Sequence, residues 1–538
     1  MKTLMLAFAL ALTMGVATAQ DSSVAKIDAV FAHIGSADVP GCAVGVQAGD
    51  RAPVRRAFGM ADLEHAVPIS VDTVFEAGSV SKQFTAAATL ILVSEGRLSL
   101  DDDIHKYLPE LPNYGHAVTI AELLGHTSGF RDWGDIEAIA GWPRTERVYD
   151  MADVLQVATR QRALNFDPGT AWSYTNTGYN LLAIIVQRVS GSTFVDFTRE
   201  HLFVPLGMTH TQWRDDFRRV VRDRAIAYHR VSDGVYEQMM PFENTYGHGG
   251  LLTTVGDLLI WNRALDEGRL GALVTSALQT RTLLSDGRRT VYARGLFVRD
   301  YHGTREIFHD GATAGYRAWL GRYPDQHLSI AILCNADDAL TSNYAHALAD
   351  RYLPKAKPEH TSFTSPLSAS LAGLYASERD GVPLRLTLHD NRMQTDAGLT
   401  VVAGPGGTFA FERADGAIAA TGAVLPGGSL RLDSEGDATV YVRTQAYAPT
   451  PADLARIAGR FHNEEVPVTY QITAVAGGLN VIAEGRPGNS RLFVPAYSNA
   501  FISGDMMLRP IRGSDGSVTG IRISDDRVWN LSFDRLPK

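Results

Sequence analysis

Ser79-Val80-Ser81-Lys82 sets a serine hydroxyl and a lysine amine three residues apart at the start of a long apolar run. On a helix, that spacing puts both side chains on one face, one turn apart. A neutral amine there takes the hydroxyl proton and turns a weak alcohol into a nucleophile. At a helix start, the Ser79 N–H points outward as a free donor and the helix dipole favours negative charge, as an oxyanion requires. Tyr174-Thr175-Asn176 and His309-Asp310-Gly311 follow at intervals of 95 and 135 residues. The chemistry implied is acyl transfer by a serine hydrolase.

Each pattern also occurs elsewhere by chance: Ser23 to Lys26, Tyr497-Ser498-Asn499, His33-Ile34-Gly35 and His248-Gly249-Gly250. Context separates them. Ser23 has nothing before it to hold it rigid, and Tyr497 falls in a strand-rich tail. Tyr174 follows Pro168-Gly169 and precedes a buried apolar helix, Leu181 to Val189. His309 is followed by two strands and a closing helix, which His248 lacks.

The elements that must position these groups follow from hydrophobic period. Phe84, Ala87, Ala88, Ile91 and Leu92 recur at helical spacing, and Gly96 ends that helix. Strands are expected at Gly41–Gln47 and Val54–Met60, and again near Glu306–Phe308, Tyr316–Tyr323 and Leu328–Asn335. A helix from Thr341 to Tyr352 closes the unit. The result is one mixed α/β domain whose two ends meet in one sheet. Pro354 to Pro366 reads as a linker. Beyond it come short alternating strands with Gly-rich turns, as in a barrel or sandwich. Leu371-Ala372-Gly373-Leu374-Tyr375 recurs 86 residues later as Ile457-Ala458-Gly459-Arg460-Phe461, so two β domains of similar fold are expected, joined near Pro449–Pro451.

Residues about 25–353 resemble the serine β-lactamase-related family, which includes class C β-lactamases, DD-carboxypeptidases, certain esterases and D-aminopeptidases. The likeness is carried by FEAGSVSKQFTAAATLILVSEGRLSLDDDI, LLGHTSGF, FDPGTAWSYTNTGYNLL, GHGGLLTTVGDL and HDGATAGYRAWL. The third motif is His-x-Gly where class C β-lactamases carry Lys-Thr-Gly. With two β-barrel domains after the catalytic domain, the layout is similar to the D-aminopeptidases. The fold implied is a mixed α/β, β-lactamase/DD-peptidase-like catalytic domain (20–357). Two antiparallel, lipocalin-like β-barrels (366–447 and 451–538) follow it.

The resemblance also implies roles. Ser79 attacks a carbonyl and forms an acyl-enzyme. Lys82 and Tyr174 share the proton transfers, and either is open as the base. Positive neighbours or burial are expected to lower the tyrosine's proton affinity. Backbone N–H groups of Ser79 and Ala312 form the oxyanion hole, Asn176 holds the substrate amide, and His309 orients the tyrosine or binds a substrate anion. Gly311 lets substrate backbone approach the strand edge. The expected substrate is a small peptide, ester or lactam. A peptidase on D-amino-acid-containing peptides leads, of D-aminopeptidase or DD-peptidase type, because a loop from the last β domain could reach and restrict the cleft. The alternatives are an esterase, a class C-like β-lactamase, and a vestigial binding protein. His126 reads as a structural loop histidine. Trp133, Trp142 and Trp213 read as packing before cleft lining, and Tyr246 and Gly247 are candidates to flank the site.

Composition bounds the rest. The chain has 538 residues and a formal charge of −9, with no Lys/Arg cluster, which argues against a nucleic-acid surface. HExxH, GxSxG, a P-loop and a Cys/His cluster are absent from the sequence, so no metal or cofactor is expected. Lys2, the apolar stretch Leu4–Val16 and Ala17-Thr18-Ala19 read as a signal peptide (1–19). An exported protein, periplasmic or secreted, is expected, without an integral membrane segment after cleavage. Cys42 and Cys334 lie in strand-like runs. Two free buried thiols are the expectation, with pairing the alternative if their strands are neighbours. Oligomeric state is left open.

Overall fold

The computed structural model describes residues 23–34, 38–354, 369–390, 392–413, 418–434, 436–486 and 488–537. The signal-peptide reading and most of the linker reading lie outside the described residues.

The catalytic unit is built on a six-stranded antiparallel sheet. Its strands are β1 (Cys42–Ala48), β2 (Val54–Phe58), β3 (Phe297–Tyr301), β4 (Thr304–Thr313), β5 (Tyr316–Tyr323) and β6 (Leu328–Cys334). The spatial order is β3-β4-β5-β6-β1-β2, so the two ends of the domain meet where β1 pairs with β6. Alternation decides which residues face which layer. Val44, Val46, Ile330 and Ile332 pack under the 23–31 helix and α4 (Thr341–Ala349), beside Ile27, Phe31 and Leu348. Ala43, Ala331 and Leu333 face the helical layer on the other side. Both faces are covered, which is why β6 is apolar at almost every position.

Cys42 and Cys334 stand opposite each other in the β1–β6 register and form a disulfide. This corrects the expectation of free thiols. Pairing of the first and last catalytic strands brings together residues 292 apart in sequence.

The helical layer holds α1 (Lys82–Ser94) and α3 (Asn176–Ser190) side by side. Helix α1 has no side-chain cap at its start; it continues directly from a 3₁₀ turn at Gly78–Ser81. Its end is a Schellman motif: Gly96 takes φ +70°, its N–H bonds the Val93 carbonyl, and the Arg97 N–H bonds that of Leu92. Thr175 caps α3 by accepting from the Thr177 N–H at 3.2 Å. The Tyr-Thr-Asn motif is therefore a helix start, with Tyr174 just outside the cap and Asn176 first inside.

Two closed eight-stranded antiparallel barrels follow, Gly373–Thr444 and Gly459–Arg535 in their strand limits. The repeat seen in sequence is structural. Gly373 and Gly459 occupy matching first strands, where an added Cβ would meet the Arg443 and Arg535 guanidinium groups at 3.1 and 2.8 Å. Those arginines lie over Tyr375 and Phe461, at 5.2 and 5.3 Å from the ring centroids.

The last barrel docks on the catalytic unit. Trp133, Ile136 and Ile139 of α2 (Trp133–Ile139) share one apolar cluster with Phe461, Tyr470, Phe493 and Phe533. Arg131 pairs with Glu465 at 2.8 Å in a largely buried contact. The first barrel braces the last: the Tyr497 hydroxyl donates to the Gly381 carbonyl at 2.8 Å, and Arg379 lies over Trp529 at 4.7 Å. Among the described residues, no single helix is long and apolar enough to cross a membrane.

Candidate active site

The Lys82 ammonium nitrogen lies 3.1 Å from Ser79 Oγ, 2.9 Å from Asn176 Oδ1 and 2.8 Å from the His248 carbonyl oxygen. Three different parts of the chain thus converge on one nitrogen. It is fully buried, and burial, followed by the positive charge of Arg527, pushes its pKa well below the usual lysine range. A neutral amine has two hydrogens and one lone pair. Two carbonyl acceptors take the hydrogens, and the lone pair is left for the Ser79 hydroxyl proton.

Tyr174 stands beside both groups, with the Lys82 nitrogen 4.7 Å from its ring centroid. Its hydroxyl is buried without a hydrogen bond of full geometry, and Ser79 is the hydrogen-bonding group beside it. Burial raises its pKa well above that of free tyrosine; Ser79 and Arg527 offset this only in part. The expectation of a lowered tyrosine proton affinity is corrected, because burial disfavours the phenolate. His126, read from sequence as structural, lies behind this ring. It is fully buried, its centroid is 4.3 Å from that of Tyr174, and its Nδ1 accepts from the Thr175 N–H at 3.2 Å.

His309 sits in the middle of β4, which is longer than the Glu306–Phe308 strand expected. Its Nδ1 lies 2.6 Å from the Asp310 carbonyl oxygen and its Nε2 lies 3.2 Å from the Tyr292 hydroxyl. An N–H at Nδ1 and a lone pair at Nε2 satisfy both contacts. Burial pushes its pKa down, so the ring is neutral at pH 7. Of the two roles expected, orienting neighbours fits this environment, and supplying a positive charge to an anion does not.

The backbone geometry explains two glycines. Gly78 has φ +51°, and a Cβ there would lie 2.6 Å from the Ala312 nitrogen. A Cβ on Gly311 would lie 2.1 Å from the Ala77 oxygen and 3.2 Å from the Ser79 nitrogen. The serine turn and β4 pack backbone to backbone, which brings the Ser79 and Ala312 nitrogens to one place. This contact alone requires glycine at 311. β3 pairs with β4 only as far as Phe308, so the 309–313 edge is open toward the cleft.

The cleft has a volume of about 420 Å³ and is lined by Ser79, Tyr174, Asn176, His309, Gly311 and Ala312, among others. Every residue assigned to the site from sequence is on or under this wall. Arg144, Trp172 and Arg527 also line it, and none was named from the sequence. Arg527 comes from the last hairpin of the second barrel. Its carbonyl accepts from Asn165 Nδ2 at 3.0 Å, and the Asn165 Oδ1 accepts from the Trp529 N–H at 2.8 Å. Only a loop from another domain makes Arg527 part of the site, and no local pattern marks such a residue. Trp133 and Trp213 are core residues, and Trp142 lies under Arg486. The Tyr246, Gly247 and His248 carbonyls accept from Asn180, Thr85 and Lys82, tying α1 to α3.

Residues 27–355 match the Beta-lactamase family. The D-aminopeptidase of Brucella anthropi is 26% identical over 93% of this chain and 91% of its own length. The octameric penicillin-binding protein homologue from Pyrococcus abyssi superposes with a TM-score of 0.54 at 22% identity, covering 79% of this chain and 99% of that one. The D-amino acid amidase from Ochrobactrum anthropi SV3 superposes with a TM-score of 0.53 at 20% identity, covering 61% and 96%. With the family matched over most of the chain and the serine, lysine and tyrosine in one cleft, the protein belongs to the beta-lactamase family and is a serine hydrolase.

Proposed function

We propose that the protein is an exported amidohydrolase that cleaves D-amino-acid-containing peptides or amides through a Ser79 acyl-enzyme. The observation that carries the mechanism is the contact set of Lys82, whose hydrogens are committed to Asn176 and His248 and whose lone pair faces Ser79. Lys82 accepts the serine proton as Oγ attacks the carbonyl. The oxyanion forms at the Ser79 and Ala312 nitrogens. Tyr174, which holds its proton at neutral pH, delivers it to the leaving amine and is reprotonated from Lys82. Lys82, neutral again, activates the water that releases the acyl group. Asn176 holds the substrate amide, and His309 fixes the wall beside Tyr174.

Two observations support the substrate and the compartment. The D-aminopeptidase of Brucella anthropi matches along nearly the whole chain, both barrels included. The Cys42–Cys334 disulfide suits an oxidising compartment, in keeping with the N-terminal export signal.

The test is a hydrolysis panel on the mature protein and its Ser79→Ala variant. D- and L-alanine p-nitroanilides, N-acylated D-Ala-D-Ala, nitrocefin and p-nitrophenyl butyrate make up the panel. Serine-dependent release from D-configured amides, with little from the L-isomer, is expected. Turnover of only the ester or nitrocefin would reassign the protein as an esterase or β-lactamase.

A further inference from the structure

The charges lining the cleft are uneven. Among the described residues, two guanidinium groups line it, Arg144 and Arg527; the one carboxylate in the lining is Asp310. Asp310 is 59% exposed at the rim. Arg144 is held bidentate by Glu243, which neutralises it. His309 offers no positive charge, since both ring nitrogens are committed and the ring is buried. Arg527 is the other guanidinium of the cleft; the carboxylates of Asp132, Asp135 and Asp526 act on its charge, and what distinguishes it is that its terminal NH₂ groups are not taken up by them.

Its position is built and does not depend on a flexible side chain alone. Asn165 clamps the backbone at Arg527 and Trp529, where the hairpin tip enters its outgoing strand, and the Asp132 N–H donates to the Arg527 carbonyl at 3.3 Å. Trp529 behind it is wedged between Phe166 of the catalytic unit and Arg379 of the first barrel. The guanidinium lies 5.1 Å from the centroid of Tyr174. Its only ion pair among the described residues is through Nε, 3.3 Å from its chain neighbour Asp526, which is itself 76% exposed. The two terminal NH₂ groups have no hydrogen-bond partner there. Asp132 and Asp135 lie near enough to offset part of the charge, but the two Asp132 carboxylate oxygens accept from the Gly134 and Asn176 N–H groups and leave the guanidinium NH₂ groups free to bond a ligand.

The geometry points to Arg527 as a specificity residue that reads a carboxylate on the substrate, so that the preferred substrates are D-amino-acid amides or peptides bearing an anionic group near the scissile bond, in place of a free ammonium. A planar guanidinium with two free NH₂ groups matches a carboxylate by paired hydrogen bonds. An ammonium in the same place meets a positive charge in a half-buried cleft, where like charges are not screened. This inference rests on the hydrolase reading and deepens it: it assigns the last barrel's hairpin the task of selecting substrate charge.

The test is calorimetric, on the full-length Ser79→Ala protein, so that ligands stay intact. The ligands are N-acetyl-D-alanyl-D-alanine and its C-terminal amide, N-succinyl-D-alanine amide and its N-acetyl counterpart, and D-alanyl-D-alanine amide, which carries the ammonium. At least one acid should bind roughly 10- to 100-fold more tightly than its neutral partner, the effect of a hydrogen-bonded charge pair. The ammonium ligand should bind worst. Arg527→Ala should remove the acid preference, Arg527→Lys should keep part of it, and Arg527→Glu should reverse it. The inference is wrong if neither acid is preferred, if nothing binds at millimolar concentration, or if the preference survives in Arg527→Ala. Failure of the hydrolase reading would appear separately, as wild-type protein that a covalent serine probe does not label at Ser79.

Discussion

Lys82 is a residue whose environment is decided by burial, with charge second, and this gives a pH prediction with a definite sign. Protonated Lys82 cannot accept the serine proton, so kcat/KM falls as pH drops below its lowered pKa and is level above it. Arg527 adds to the lowering. Removing its charge in Arg527→Ala raises the Lys82 pKa, and the acidic limb of the kcat/KM profile should move to higher pH. An unmoved limb would mean that the two charges do not interact. His126 and His248 are buried, and burial first, then Lys82 for His126 and Arg144 for His248, lowers both. Above about pH 6.5 neither state binds their protons. Below it, the unfolded chain takes protons that the folded protein refuses, so stability through these groups is lost as pH falls toward their folded values. The melting temperature should be lower at pH 5 than at pH 7.5. At this scale, Ser79, Lys82, Tyr174 and His309 were readable because side-chain type and short spacing mark them. Arg144 and Arg527 were not, because their importance comes from where distant elements land. The Tyr174 shift runs opposite to the expectation because burial disfavours the charged form, which raises a tyrosine's pKa and lowers a lysine's.

Elements explain why the site is rigid. The serine turn leans on β4 through Gly78 and Gly311, with no room for a Cβ at Gly311. Gly311→Ala should displace the turn and cost roughly 10²–10³ in kcat, as loss of an oxyanion donor does. A substitution that leaves kcat intact would remove the packing account of this glycine. The β1–β6 pairing was anticipated in outline because the strand runs at both ends of the domain were strongly apolar. β3 was not anticipated, since FVRDY has neither a long apolar run nor clean alternation. The disulfide follows from the register, which sequence does not reveal: two cysteines in two strands become partners only once Cys42 is opposite Cys334. Closing a loop with a sequence separation of 292 residues gives a contribution just above the usual range, about 6 kcal/mol by chain entropy. Replacing both cysteines with alanine should lower the melting temperature measurably without changing KM; an unchanged melting temperature would show that the bond is dispensable.

Over the whole molecule, the barrels are part of the active-site assembly. The second barrel shares an apolar cluster with α2 and delivers Arg527, while the first supports Trp529 from behind. A chain ending before residue 451 should expose the Trp133, Ile136 and Ile139 face and aggregate, whereas Arg379→Ala should leave the fold intact and loosen the hairpin. The barrel repeat was visible because the Gly-Leu-Tyr and Gly-Arg-Phe starts recur. Docking was not, because it depends on matched surfaces spread over the chain. Hydrolysis by this protein depends on a covalent acyl-enzyme at Ser79, which mass spectrometry during turnover of a slowly hydrolysed substrate detects. An adduct of the acyl mass is expected on the tryptic peptide containing Ser79, absent from Ser79→Ala. Sustained hydrolysis without an adduct, or by the alanine variant, would contradict it.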